Sequence, residues 1–154
     1  MSQTVERVVV GVNGSASSVE ALRQAAEEAQ CHDAVLCPTY VWAPPGGEAT
    51  DGRIPPPWEV CAYWEQEADD ILAEACQKAL STAPYGLRVV PRVIRGPAGA
   101  ALVACADHDR DLLVMSAGSH GALYRCFHGS VSWYCLKHAH CPVLVVRTGD
   151  ENGL

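Results

Sequence analysis

The chain has 154 residues, 49% of them hydrophobic and 19% charged, which is enough apolar material for one domain with its own core and too little length for two. A formal net charge of −7 opposes binding to nucleic-acid backbones or anionic membranes, and the longest apolar runs, such as Pro142 to Val146, fall far short of the roughly 20 residues a membrane helix needs. The opening MSQTVER lacks an export-signal pattern, so the eight cysteines are expected as reduced, core-filling thiols of a cytoplasmic protein, without a disulfide framework.

Residues 1–154 read as a single domain. Arg7 to Val12 (RVVVGV) is a β-branched run that ends at Asn13-Gly14, the pattern of a buried strand leaving a sheet through a turn. Ser17 with Glu20 predicts a capping box, and Val19, Leu22, Ala25, Ala26 and Ala29 continue at helical spacing to about Gln30. Ala34 to Val41 is a second strand. Residues 42–57 (WAPPGGEATDGRIPPP) are too rich in Pro and Gly for regular structure and predict a surface loop. From Trp58 to about Ser81 a long amphipathic helix sets Val60, Tyr63, Ala68, Ile71, Leu72, Ala75 and Leu80 on its apolar side.

Leu87 to Ile94 predicts a third strand, and Gly96-Pro97 opens a helix that reaches to near His108. Asp111 to Ser116 is a fourth strand. A helix from Gly129-Ser130 to about His138 and a fifth strand over Pro142 to Arg147 complete the pattern. Continuous apolar strands alternating with helices imply an α/β fold, a doubly wound parallel sheet with helices on both faces. Ligands of such sheets bind beyond the carboxyl ends of the strands where winding reverses, which singles out the loops after strands one and four.

The turn Gly11-Val12-Asn13-Gly14 is not a dinucleotide fingerprint, and no Gly-Lys pair is present for a P-loop. Gly129, Ser130, Val131 and Ser132 at a helix start offer backbone amides and hydroxyls that suit phosphate oxygens, although the same residues also serve simply as a cap. No acid occurs from Leu112 to Gly149, where Arg125, Lys137 and Arg147 give +3; this is either a local anion site or an accident of a sparsely charged segment. Ala117-Gly118-Ser119-His120-Gly121 approaches a nucleophile elbow, but no acid lies between that serine and a later histidine. His120, with Arg125, is placed to act on a phosphate or simply to be solvated. Cys135, His138, His140 and Cys141 match no zinc spacing, and no metal site is expected.

VVVGVNGSASSVEAL, RGPAGAAL, DLLVMSAGSHG and HGSVSWYCLKHAHCPVLVVR together resemble the universal stress protein family over nearly the whole chain. The resemblance implies strand order 3-2-1-4-5 and an adenine nucleotide, ATP with Mg in some members, between the ends of strands one and four. It further implies a homodimer through the last strand, here Val143, Leu144, Val145 and Val146. The family's G-x2-G-x9-G-(S/T) pattern, laid from Asp111 without gaps, falls on Ser116, Ser119 and Gly129, followed by Ser130; Asn13 stands where the family has aspartate. On this reading Val12, Asn13 and Val41 border the base and ribose, Ser116, Ser119, Gly129, Ser130 and Ser132 face the phosphates, and Gly11, Met115 and Val131 complete the lining.

No residue is placed as a general base. The expected role is therefore regulatory binding with at most weak ATP hydrolysis, with no nucleic-acid or membrane partner. The alternative is a family member without nucleotide, acting as a protein-interaction dimer.

Overall fold

The structure is a computed structural model, which describes residues 4–44, 52–81, 86–117 and 131–147. Five strands, β1 (Arg7–Val12), β2 (Val35–Trp42), β3 (Arg92–Arg95), β4 (Asp111–Ser116) and β5 (Val143–Val146), form one sheet in the order β3-β2-β1-β4-β5. Every pairing is parallel, as the alternation of strands and helices predicts. The helices are α1 (Ala16–His32), α2 (Trp58–Leu80), α3 (Ala98–Cys105) and α4 (Val131–His138). Winding reverses between β1 and β4, leaving a crevice at their carboxyl ends.

The strand period of two divides β1 between two cores. Val8, Val10 and Val12 join Leu22, Leu36 and Leu72 on the side covered by α1 and α2; Val9 joins Leu102, Leu113, Met115 and Cys135 under α3 and α4. Leu22, Leu36 and Leu113 are fully buried, so truncating any of them to Ala would cost about 2–5 kcal/mol.

The N-cap of α1 is Ser15, not Ser17 as the capping-box spacing predicts. Its hydroxyl accepts from the Ser18 amide at 3.2 Å, while Ser17 is buried and Glu20 pairs with Arg23 at 2.9 Å. The helix ends at Asp33, whose φ of 53° turns the chain and whose amide caps Ala29 and Gln30. The third strand is shorter than the predicted Leu87 to Ile94. Pro91 has no amide hydrogen to donate, so the ladder breaks there; Val89 keeps only an isolated bridge to Leu36, and regular pairing starts at Arg92.

Helix α3 stops at Cys105, short of the predicted His108, because the following turn folds back onto Asp111, whose Oδ2 accepts from the His108 amide at 3.0 Å. Tyr63, expected on the apolar side of α2, is 66% exposed, and Trp58 is 75% exposed. The 23-residue helix is about 34 Å long against about 26 Å for the eight residues of β2, so its first turns have no sheet beneath them. Within the predicted loop, Gly52 and Arg53 are helical; residues 45–51 lie outside the described residues. Of the seven described cysteines, all free, Cys37 and Cys135 are buried as expected, whereas Cys31 is exposed.

The amino-terminal edge of the sheet is clasped by Arg7 and Asp111, on directly paired positions of β1 and β4. Arg7 Nε and Nη2 donate to the two carboxylate oxygens of Asp111 at 3.0 and 2.6 Å, and Nη2 also reaches the Cys105 carbonyl at 2.8 Å and Asp107 at 3.1 Å. Hydrogen bonding to buried Asp111 holds the Arg7 guanidinium even further above its ordinary value.

Candidate functional site

The crevice where winding reverses encloses about 120 Å³ among the described residues. Gly11, Val12 and Asn13 line it from the end of β1, Met115 and Ser116 from β4, and Val41 from β2. Val131 and Ser132 close it from the start of α4. Thr39, Ala98 and Leu102 also line it, and the sequence reading omitted them. Period two from Val41 points to Thr39, and a four-residue step on one face of α3 links Ala98 with Leu102. Ser119, Gly129 and Ser130, as well as His120 and Arg125, lie outside the described residues.

Gly11 sets the floor. A Cβ there would meet Leu102 Cδ1 at 3.0 Å, so the absence of a side chain lets α3 sit close to β1. Beyond it the loop is held by its own polar groups. The Ser15 amide donates to Asn13 Oδ1 at 3.0 Å, the Asn13 amide to Ser18 Oγ at 3.3 Å, and Ser18 Oγ to the Ser15 carbonyl at 2.9 Å. Gly14 takes φ of +85°, a conformation that side chains disfavour. With its oxygen engaged, Asn13 keeps its NH2 as a donor among the groups that line the crevice.

Ser132, expected to face the phosphates, lines the crevice with its hydroxyl turned to the protein. Its hydroxyl donates to the Ser116 carbonyl at 3.0 Å, which ties the first turn of α4 to the end of β4 and uses the hydroxyl's only hydrogen. The next amide, that of Ala117, is also engaged, donating to the Val146 carbonyl at 2.9 Å. Thr39 is buried with its hydroxyl on the Cys37 carbonyl at 3.1 Å.

None of the eleven lining residues is ionisable. The described walls therefore hold no ionisable general base and no carboxylate for a metal ion, and of their hydroxyls those of Thr39 and Ser132 donate to backbone carbonyls. Their chemistry is that of contact: Val12, Val41, Leu102 and Met115 are apolar, with a few fixed dipoles between them. Thiols beneath the same face of the sheet stay protonated. Burial pushes Cys135 up to about 11 and raises Cys37, Cys105 and Cys141, outweighing the nearby arginines that pull Cys37 and Cys105 down. Among the described residues no three His, Cys, Asp or Glu side chains gather as a metal site, and no helix is long and apolar enough to cross a membrane.

Strand β5 is an edge of the sheet, with Val143 to Val146 all partly buried. Trp133 and Leu136 of the neighbouring α4 are exposed.

The family model for the Universal stress protein family matches residues 4–147. Universal stress protein MJ0531 of Methanocaldococcus jannaschii is 30% identical over 146 residues, which cover 92% of this chain and 82% of that protein. Mycobacterial relatives are longer, and the chain spans about half of their length, 51% for the Mycolicibacterium smegmatis protein and 48% for Rv2623 of Mycobacterium tuberculosis. Among solved structures, a universal stress protein in complex with cAMP has 25% identity and a TM-score of 0.58, covering 95% of this chain and 99% of its own. The universal stress protein of Archaeoglobus fulgidus in complex with dAMP shares the fold at 17% identity and a TM-score of 0.55, covering 92% and 98%.

Proposed function

Since the chain belongs to the universal stress protein family, we propose that the crevice between the ends of β1 and β4 receives the adenine and ribose of an adenine nucleotide. The reading rests chiefly on one observation: the described lining joins apolar walls with the Asn13 amide and contains no ionisable group. Such a pocket holds a flat, uncharged ring and leaves the phosphates to groups beyond it. The complex of a similar protein with cAMP supports the same class of ligand.

The role that follows is regulatory. Binding without a placed base or nucleophile alters the protein's conformation or contacts, and hydrolysis of ATP is weak at most. Magnesium, when ATP brings it, is carried by the phosphates, because no lining residue offers a carboxylate. A homodimer forms by antiparallel pairing of two β5 edges, Val143 to Val146, with the apolar face of α4 beside the seam. We place the protein in the cytoplasm, where adenine nucleotides are abundant and its thiols stay reduced.

The second reading is a dimer that binds no nucleotide. The bond from Ser132 to Ser116 favours it, because that hydroxyl no longer has a hydrogen for phosphate. Thermal unfolding with added AMP, cAMP or ATP separates the two. A ligand at about 100 times its Kd stabilises by about 2.7 kcal/mol and raises Tm by several degrees. The nucleotide reading expects that rise for wild type and its loss in Gly11→Val, whose side chain enters the crevice beside Leu102. Unchanged Tm with every nucleotide leaves the interaction dimer.

A further inference from the structure

A second and larger hollow lies along the other side of α3, independent of the crevice. It encloses about 520 Å³ between α3 and the β3 edge of the sheet, within the range of small-molecule sites. Helix α3, which borders the groove, has only eight residues. Ile94 lines the strand side, and Ala100, Ala101 and Ala104 line the helix side, all apolar and mostly small enough to keep the groove open.

Its polar groups are of unlike character. Arg92, Arg95, Arg7 and His108 reach it, against one carboxylate among the described residues that line it, that of Asp107, in a chain whose overall charge is −7. Arg7 is already held by Asp111, Asp107 and the Cys105 carbonyl. Arg95 lies over the Trp42 ring, 5.3 Å from its centre. Arg92 is exposed and sits beside the Cys105 thiol, but has no carboxylate partner among the described residues. The groove thus pairs an apolar trough with a cation at its rim, and the solvated pairing partner that such a cation lacks within the fold is an anion.

We propose that this groove binds a medium-length aliphatic carboxylate, with the chain along Ile94 and the α3 alanines and the head group on Arg92. The lengths agree: three residue steps of β3 and eight residues of α3 each span about 10–12 Å, the extended length of octanoate. The head alone has only solvent-exposed guanidinium contact, and the tail alone has no anchor, so both halves are required.

Titration of the isotopically labelled protein with octanoate, followed by amide NMR shifts, tests this. Saturable shifts centred on the amides of Arg92 to Cys105, with Kd of about 0.1–1 mM, are expected. Arg92→Glu should weaken binding at least about tenfold by reversing the head-group charge, and Ala104→Leu should abolish it by filling the trough. Both positions are exposed, and the unliganded spectrum of each variant verifies its fold. Octanol and inorganic phosphate should leave these amides unmoved, while saturating ATP should leave octanoate binding intact. The proposal is overturned by absent or non-saturating shifts, by shifts centred on the crevice or on α4, or by affinity unchanged in both groove variants.

Discussion

The hydroxyl of Ser132 donates to the carbonyl of Ser116 at 3.0 Å, so the first turn of α4 is fastened to the last residue of β4. Both residues line the crevice, and the bond fixes the distance between them. Ser132→Ala leaves a partly buried carbonyl without that donor and should cost about 1–2 kcal/mol, read as a lower midpoint in urea unfolding. Ser132→Thr, which keeps the hydroxyl, should recover most of the loss. Equal losses in the two variants would mean that packing, and not this bond, holds the helix.

The Arg7 and Asp111 clasp is expected to matter far more than the exposed ion pairs. Asp111→Asn removes the charge facing a guanidinium fixed at 3.0 and 2.6 Å and should destabilise by about 3–5 kcal/mol. Asp107→Asn removes an exposed partner of the same arginine and should have little effect. Thermal unfolding of both variants checks the contrast; comparable losses would contradict it.

Gly14 and Gly86 both have positive φ, yet only Gly14 is crowded. A Cβ at Gly14 would stand 2.9 Å from Ile71 Cγ2 of α2, whereas nothing lies within 4 Å of one at Gly86. Gly86→Ala should therefore cost only the backbone strain, about 1–2 kcal/mol, and Gly14→Ala more, with loosened packing between α2 and the first loop. Chemical denaturation of the pair measures the difference.

Alkaline pH should weaken the fold before the buried Cys135 thiol ionises in it. Cys135 is fully buried and pushed up from the ordinary 9.0 to about 11, so the folded form keeps its proton after the unfolded chain has lost it, above about 9. Stability is full below that lower value and falls as pH rises toward the upper one, by about 2–3 kcal/mol from this thiol. Urea midpoints under reducing conditions should decline between about pH 8 and about pH 10.5. Cys135→Ala should be less stable at neutral pH but show a flatter decline. An identical slope in the variant would assign the effect to other groups.

The sheet was legible because its signal is coarse: VVVGV, LLVM and VLVV are short apolar runs bounded by polar or turn residues and alternate with helical patterns, as strands of a covered parallel sheet do. What escaped was decided by single atoms. Pro91 shortens β3 through one missing amide hydrogen. Ser15, Ser17 and Ser18 are equivalent as types, and only the path after Gly14 selects Ser15 as the cap. Thr39 and Leu102 join the crevice through tertiary packing between α3 and β2, while the hydroxyl of Ser132 turns to a carbonyl that no local pattern reveals.

Isothermal calorimetry with Mg-ATP on the full chain tests the central claim most directly. The account predicts saturable heat with one site per chain, at a Kd below about 1 mM, and its disappearance in Gly11→Val while that variant remains folded. No heat at millimolar nucleotide, or the same heat in Gly11→Val, would contradict it.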